Sequence, residues 1–190
     1  MKMNLPNRIT LFRIILIPFF VLFLVAEDRL PYYSFIATAV FGIACFSDYL
    51  DGHIARKYNL VTTFGKFMDP LADKILVITA MILLVEMHMI PAVIVAVIMA
   101  REFIISGFRM IASEKGVVIA AGYIGKTKTV FQMLMCIFLL LTSDSYYRQF
   151  LFFKLFYYLG IICMWIALVL TIWSLIDYIW KNRKVLYDAD

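Results

Sequence analysis

The chain has 190 residues, 64% of them hydrophobic, and a mean hydropathy of +0.91. A soluble domain is about 45–50% apolar, so this composition excludes an ordinary water-soluble globule and implies a chain largely dissolved in lipid. The net charge is +5, but the basic residues are dispersed between apolar runs; anionic headgroups or anionic substrates are the expected partners and nucleic acid is not.

Six apolar stretches read as membrane-spanning helices. The first, 11–26, follows a short interfacial helix that begins near Pro6, and Pro18 is expected to kink it. Polar Asn7, Arg8, Thr10 and Arg13 precede this run at helical spacing and no small-residue cleavage site follows, so it reads as a permanent span. The others are 32–56, 70–88, 91–111, 124–143 and 151–180, the last long enough to tilt or to emerge into water. The runs are too long and continuous for strands. Cys45, Cys136 and Cys163 each lie inside an apolar run without metal-ligand spacing and read as free thiols. No repeat or linker divides the chain, so 1–190 is expected to be a single, all-α integral membrane domain. All but three of its 18 Lys and Arg residues fall on one side of the membrane, the exceptions being Arg29, Arg148 and Lys154. The positive-inside rule then makes that side, with both termini, cytoplasmic.

The informative segment runs from Ser47-Asp48-Tyr49-Leu50-Asp51-Gly52-His53-Ile54-Ala55-Arg56 to Gly65-Lys66-Phe67-Met68-Asp69-Pro70-Leu71-Ala72-Asp73-Lys74. Asp48 and Asp51 share one face near the cytoplasmic end of the second span, and Asp69 and Asp73 share one face at the start of the third. A short loop makes these helices antiparallel neighbours, so the four carboxylates can converge. A charge inside a membrane helix costs about 2.5–3.5 kcal/mol on insertion scales, and four like charges also repel. Such a cluster calls for a neutralising hard divalent cation, and four carboxylates leave room for two. Gly52 and Ala55 keep that face shallow for a ligand. Blander roles stay open residue by residue: Asp69 as an N-cap before Pro70, Asp48 as a partner of Arg56, and His53 as a bystander.

The spacing of Asp48, Asp51, Gly52, Ala55, Arg56, Gly65, Asp69 and Asp73 resembles the signature of the CDP-alcohol phosphatidyltransferases, without departure. The resemblance implies six spans, an active site at the cytoplasmic face, and transfer of a phosphatidyl group from a CDP-linked lipid to an alcohol with loss of CMP. It implies that Asp48, Asp51, Asp69 and Asp73 hold Mg2+ or Mn2+, as two ions, and that Asp73 is the general base. It further implies that Gly52, Ala55, Gly65, Asn7 and Thr10 lie against the nucleotide and Arg56 near its phosphates, in a homodimer. Asn7, Thr10 and Arg13 can equally form a capped interfacial helix.

The rest of the chain resembles the branch of that family that takes CDP-diacylglycerol and glycerol 3-phosphate. The resemblance rests on Pro6-Asn7-Arg8-Ile9-Thr10, Ala100-Arg101-Glu102-Phe103, Ser106-Gly107-Phe108-Arg109 and Gly125-Lys126-Thr127-Lys128-Thr129. Phe108 stands where that branch has leucine. Arg101, Arg109, Lys126 and Lys128 suit the phosphate of such an acceptor, since an arginine fork matches phosphate geometry. Alternatively, Glu102 neutralises an arginine for structure and the two lysines are positive-inside anchors. Other acceptors (inositol phosphate, phosphatidylglycerol or serine) are compatible with the aspartates. A divalent-cation channel or transporter is the competing class, but it leaves Gly52, Ala55 and Arg56 unexplained. Tyrosines and phenylalanines read as lipid-facing packing and interface anchors.

Overall fold

Backbone N–H and C=O groups in lipid must be satisfied within the chain, and helices do this segment by segment. The computed structural model describes residues 5–26, 32–57, 63–114 and 122–187, and among these no strand is present. Inside the helices, the side chains of residues 5–9, 48–57, 63–71, 73, 113–114, 145 and 183–187 lie outside the described residues. The helices are α1 (Leu5–Val25), α2 (Tyr33–Lys57), α3 (Thr63–Glu86), α4 (Ala92–Glu114), α5 (Tyr123–Leu141), α6 (Ser145–Arg148) and α7 (Leu151–Tyr187).

Three boundaries differ from the sequence expectation. The interfacial helix expected near Pro6 is continuous with the first span as α1, with Pro18 inside it. Helix α3 begins at Thr63, so Asp69 does not cap it and Pro70 is interior. The cost is one helical hydrogen bond, because proline lacks an N–H, while Phe64, Phe67 and Met68 continue the helical spacing. Helix α7 extends seven residues past 180. Its 37 residues span about 55 Å at 1.5 Å per residue, well beyond a hydrocarbon core of about 30 Å.

The connections have local causes. His88 takes φ 55, in the left-handed region. The His88 N–H donates to the Val85 carbonyl and the Met89 N–H to the Leu84 carbonyl, both at 2.9 Å, closing α3 as a Schellman turn ahead of Pro91. The small helix α6 starts where the Asp144 carboxylate accepts from the Tyr146 N–H at 2.8 Å. Arg148, one of the three outlying cations, donates from Nε to the Thr142 carbonyl at 3.0 Å and from Nη2 to the Ser143 carbonyl at 3.1 Å. It thereby satisfies carbonyls just past the end of α5.

Helix α1 packs on α2 and α3, α5 on α2, α3 and α7, and α4 on α3 and α7. The core joins Phe20 of α1 to Phe41 of α2, ring centroids 5.8 Å apart, with Met81, Leu84, Met135 and Leu139 buried beyond them. Polarity is inverted relative to a soluble protein. Arg13, Arg101, Lys128 and Gln132 are buried, whereas Leu151, Phe152, Trp165, Trp173 and Trp180 are exposed. Ionisable groups turned inward and large apolar side chains turned outward are the pattern of a protein bathed in lipid. Two helical stretches, Tyr123–Leu141 and Leu151–Asn182, are long and apolar enough to cross a membrane, and Thr10–Val25 and Tyr33–Ser47 are shorter apolar helical stretches. The chain is thus an all-helical membrane protein.

Gly160 of α7 lies against α5: a Cβ there would meet the Leu139 side chain at 2.7 and 2.8 Å. Leu139 is fully buried. Gly160→Val is expected to destabilise the fold by about 1–3 kcal/mol through overpacking, read as a lower thermal transition in detergent; an unchanged transition would show that α5 and α7 separate freely.

Candidate active site

The eight positions with signature spacing lie toward the C-terminal end of α2 and the N-terminal end of α3, on either side of residues 58–62. The two helices pack together. The side chains of Asp48, Asp51, Gly52, Ala55, Arg56, Gly65, Asp69 and Asp73, and that of Asn7, lie outside the described residues. Among the described residues no group of three His, Cys, Asp or Glu is placed to hold a metal ion. Thr10 of α1 is buried.

Lys74, the residue after Asp73, links this region to α4. Its Nζ donates to Ser106 Oγ, and Ser106 Oγ donates in turn to the Glu102 carbonyl at 2.7 Å. At that turn α4 presents a buried ionic cluster. Arg101 Nη1 donates to Glu102 Oε1 at 3.0 Å, and Lys128 Nζ of α5 pairs with the same oxygen. Lys128 also donates to Gln132 Oε1 at 3.4 Å. Arg101 Nε donates to Ser174 Oγ of α7 at 3.0 Å, and Ser174 Oγ donates to the Thr171 carbonyl at 2.9 Å. The Lys128 side chain is only 2% exposed and that of Glu102 17%. Shared between two cations, the carboxylate offsets the cost of keeping both from water.

Beside this cluster opens a cleft of roughly 180 Å3, lined by Arg101, Arg109, Lys126, Gly125, Asp177 and Tyr178 among others. A Cβ at Gly125 would lie 3.2 Å from Arg101 Nη2, so glycine leaves the guanidinium its present place. The two carboxylates in the lining are already engaged, Glu102 with Lys128 and Asp177 with Lys181 at 2.8 Å. Helix α5 opens at the cleft behind Gly122, which makes no side-chain capping bond. The first amides of a helix so begun carry partial positive charge. The cleft is therefore electropositive and fits a small anion.

Three of the four basic residues singled out from sequence, Arg101, Arg109 and Lys126, share this cleft. Lys128 sits behind it, paired with Glu102. The expected neutralisation of an arginine by Glu102 is present, with Lys128 as a second partner. Sequence reasoning missed the contribution of α7. Thr171, Ser174, Asp177, Tyr178 and Lys181 recur at three- and four-residue spacing in an otherwise apolar run, and that polar stripe was the available signal.

The profile of the CDP-alcohol phosphatidyltransferases matches residues 3–173. The chain belongs to this family. As a CDP-alcohol phosphatidyltransferase it is a membrane-embedded transferase, and its relatives cover it almost end to end. It is 40% identical over 194 residues to a Bacillus subtilis protein named CDP-diacylglycerol–glycerol-3-phosphate 3-phosphatidyltransferase, covering 96% of this chain and 97% of that protein. A Haemophilus influenzae protein of the same name is 42% identical, with 99% and 98% covered. One from Escherichia coli K12 is 39% identical, with 99% and 100% covered.

Proposed function

We propose that this chain transfers the phosphatidyl group of CDP-diacylglycerol to glycerol 3-phosphate, giving phosphatidylglycerophosphate and CMP. The observation that carries the choice of acceptor is the electropositive cleft of Arg101, Arg109 and Lys126, joined through Ser106 and Lys74 to the helix turn that bears Asp73. Full-length relatives with this activity in their names support the same reading.

Asp48, Asp51, Asp69 and Asp73 offer the hard oxygen donors that Mg2+ or Mn2+ prefers, on two helices that pack together. This donor set fits two divalent ions. When bound, the metal neutralises the donor pyrophosphate and the charge that develops on departing CMP. Gly52, Ala55 and Gly65, with Asn7 and Thr10 of α1, form the nucleotide side of the site, and Arg56 lies near the phosphates. Arg101, Arg109 and Lys126 hold the acceptor phosphate, with Lys128 supporting Arg101 through Glu102. Asp73 accepts the proton of the acceptor hydroxyl as its oxygen attacks the phosphatidyl phosphorus, and the phosphorus–oxygen bond to CMP breaks. The six long helices α1–α5 and α7 act as the six spans of one domain over 1–190. Both termini and the active site face the cytoplasm, so the acyl chains remain in the bilayer while the nucleotide stays wet. The working unit is a homodimer.

The test is CMP release by the purified protein in detergent with CDP-diacylglycerol and Mg2+, acceptors offered one at a time. Glycerol 3-phosphate alone is expected to yield CMP and a phosphorylated lipid, and EDTA is expected to abolish the release until Mg2+ is restored. Release with serine or an inositol phosphate instead would overturn the acceptor, and release undiminished by EDTA would overturn the metal.

A further inference from the structure

We propose that Ser106 is a positioning residue for the reaction: by holding the Lys74 ammonium it fixes the rotation of α3, and with it the azimuth of position 73, one residue earlier. The inference rests on the reading of Asp73 as the general base and adds to it a residue of α4.

Successive positions of an α-helix lie about 100° apart around its axis, so a tie on Lys74 sets the azimuth of position 73 as well. The tie is made to a well-held point. Lys74 Nζ donates to Ser106 Oγ, and that hydroxyl donates in turn to the Glu102 carbonyl at 2.7 Å, which leaves its lone pairs for Lys74. The same stretch of α4 is pinned to two further helices, to α7 by the Arg101–Ser174 bond at 3.0 Å and to α5 by the Glu102–Lys128 pair. Ser106 therefore refers α3 to a frame built from three other helices. Apolar packing between α3 and α4 is incomplete at this level. Beside Lys74 a cavity of roughly 50 Å3 lies between α3, α4 and α5, with Val77, Ile78 and Met81 on its α3 side and Ile98 on its α4 side. Side chains that line a gap forfeit part of their contact attraction, so the directional bond from Lys74 to Ser106 is what fixes the register of this turn. The chemistry needs a fixed register, because displacing a reacting group by about 1 Å can cost about 10²-fold in rate.

The test is Ser106→Ala, with Ser106→Thr as the conservative variant, since threonine keeps a hydroxyl that can bond the carbonyl four residues back. In CMP release with glycerol 3-phosphate, kcat should fall about 10–100-fold in Ser106→Ala, with the KM values of both substrates nearly unchanged. Ser106→Thr should recover most of that loss. Lys74→Met, which removes the ammonium at the other end, should show the same fall. Adding Ser106→Ala to it should bring no further loss, because the two side chains act as one tie. A serine with only a structural role would move the thermal transition and leave kcat of the folded enzyme alone, so unchanged kcat in folded Ser106→Ala would overturn the inference. Losses that multiply in the double variant would also overturn it, as would a loss confined to a KM, which would make Ser106 or Lys74 a substrate contact. Asp73→Asn separates this outcome from failure of the underlying reading. Full turnover in Asp73→Asn removes the base itself, whereas an inactive Asp73→Asn beside a fully active Ser106→Ala overturns the positioning role alone.

Discussion

Asp73→Asn is expected to lower kcat by about 10²–10⁴-fold, the usual contribution of a positioned general base, while leaving CDP-diacylglycerol binding in place. The amide keeps the size of the carboxylate and one oxygen donor but cannot take a proton from the acceptor hydroxyl. Three other aspartates remain to hold the metal. The local frame should survive, because the neighbouring Lys74 is tied through Ser106 to α4 and Leu76 and Val77 of the next turn are buried. Two readouts separate the roles. CMP release with glycerol 3-phosphate reports the chemistry. The rise in thermal transition when CDP-diacylglycerol and Mg2+ are added reports binding. Loss of the first with retention of the second fits a base. Turnover equal to the unaltered protein would remove Asp73 from that role, and loss of both would make it chiefly a metal ligand.

The long helices were legible because lipid imposes a simple rule: long apolar runs become helices, and the starts of α2, α4, α5 and α7 fall within one residue of the expected 32, 91, 124 and 151. What hydropathy does not encode was misjudged. Polar Asn7 and Arg8 read as a separate interfacial element, yet helical hydrogen bonding runs through them into α1. Pro70 read as a helix start, yet α3 tolerates it inside. The four residues of α6 depend on a single capping aspartate, Asp144, which no hydropathy window detects. At the site, helical spacing sufficed to pair aspartates along one helix. It was silent on which side chains meet across helices. Glu102 and Lys128 are 26 residues apart in sequence, and Arg101 and Ser174 are 73 apart. Tyr178 read as an interface anchor because tyrosine near the end of a span usually is one. Only the packing of α7 on α4 turns it toward the cleft.

Glu102→Gln is expected to be the most destabilising of these changes, because it removes the one carboxylate that Arg101 and Lys128 share. Breaking a buried pair by deleting one partner typically costs about 3–5 kcal/mol, since the remaining charge stays out of water uncompensated. Here two like charges would be left facing each other. Ser174 still accepts from Arg101 Nε but carries no charge, and Gln132 gives Lys128 only a neutral acceptor. The thermal transition in detergent should fall sharply in Glu102→Gln and less in Lys128→Met, where Glu102 keeps Arg101 as its partner. Relative to Glu102→Gln, the double variant should recover the part of the loss that stranded Lys128 causes, while Arg101 still lacks its counter-ion. Additive losses would show that the pair is not energetically coupled. Activity then separates structure from binding. If Lys128 serves only to hold Glu102, the folded double variant keeps a measurable KM for glycerol 3-phosphate, raised because Arg101 has lost one of its two anchors. If Lys128 itself contacts the acceptor phosphate, stability recovers in the double variant but acceptor saturation does not.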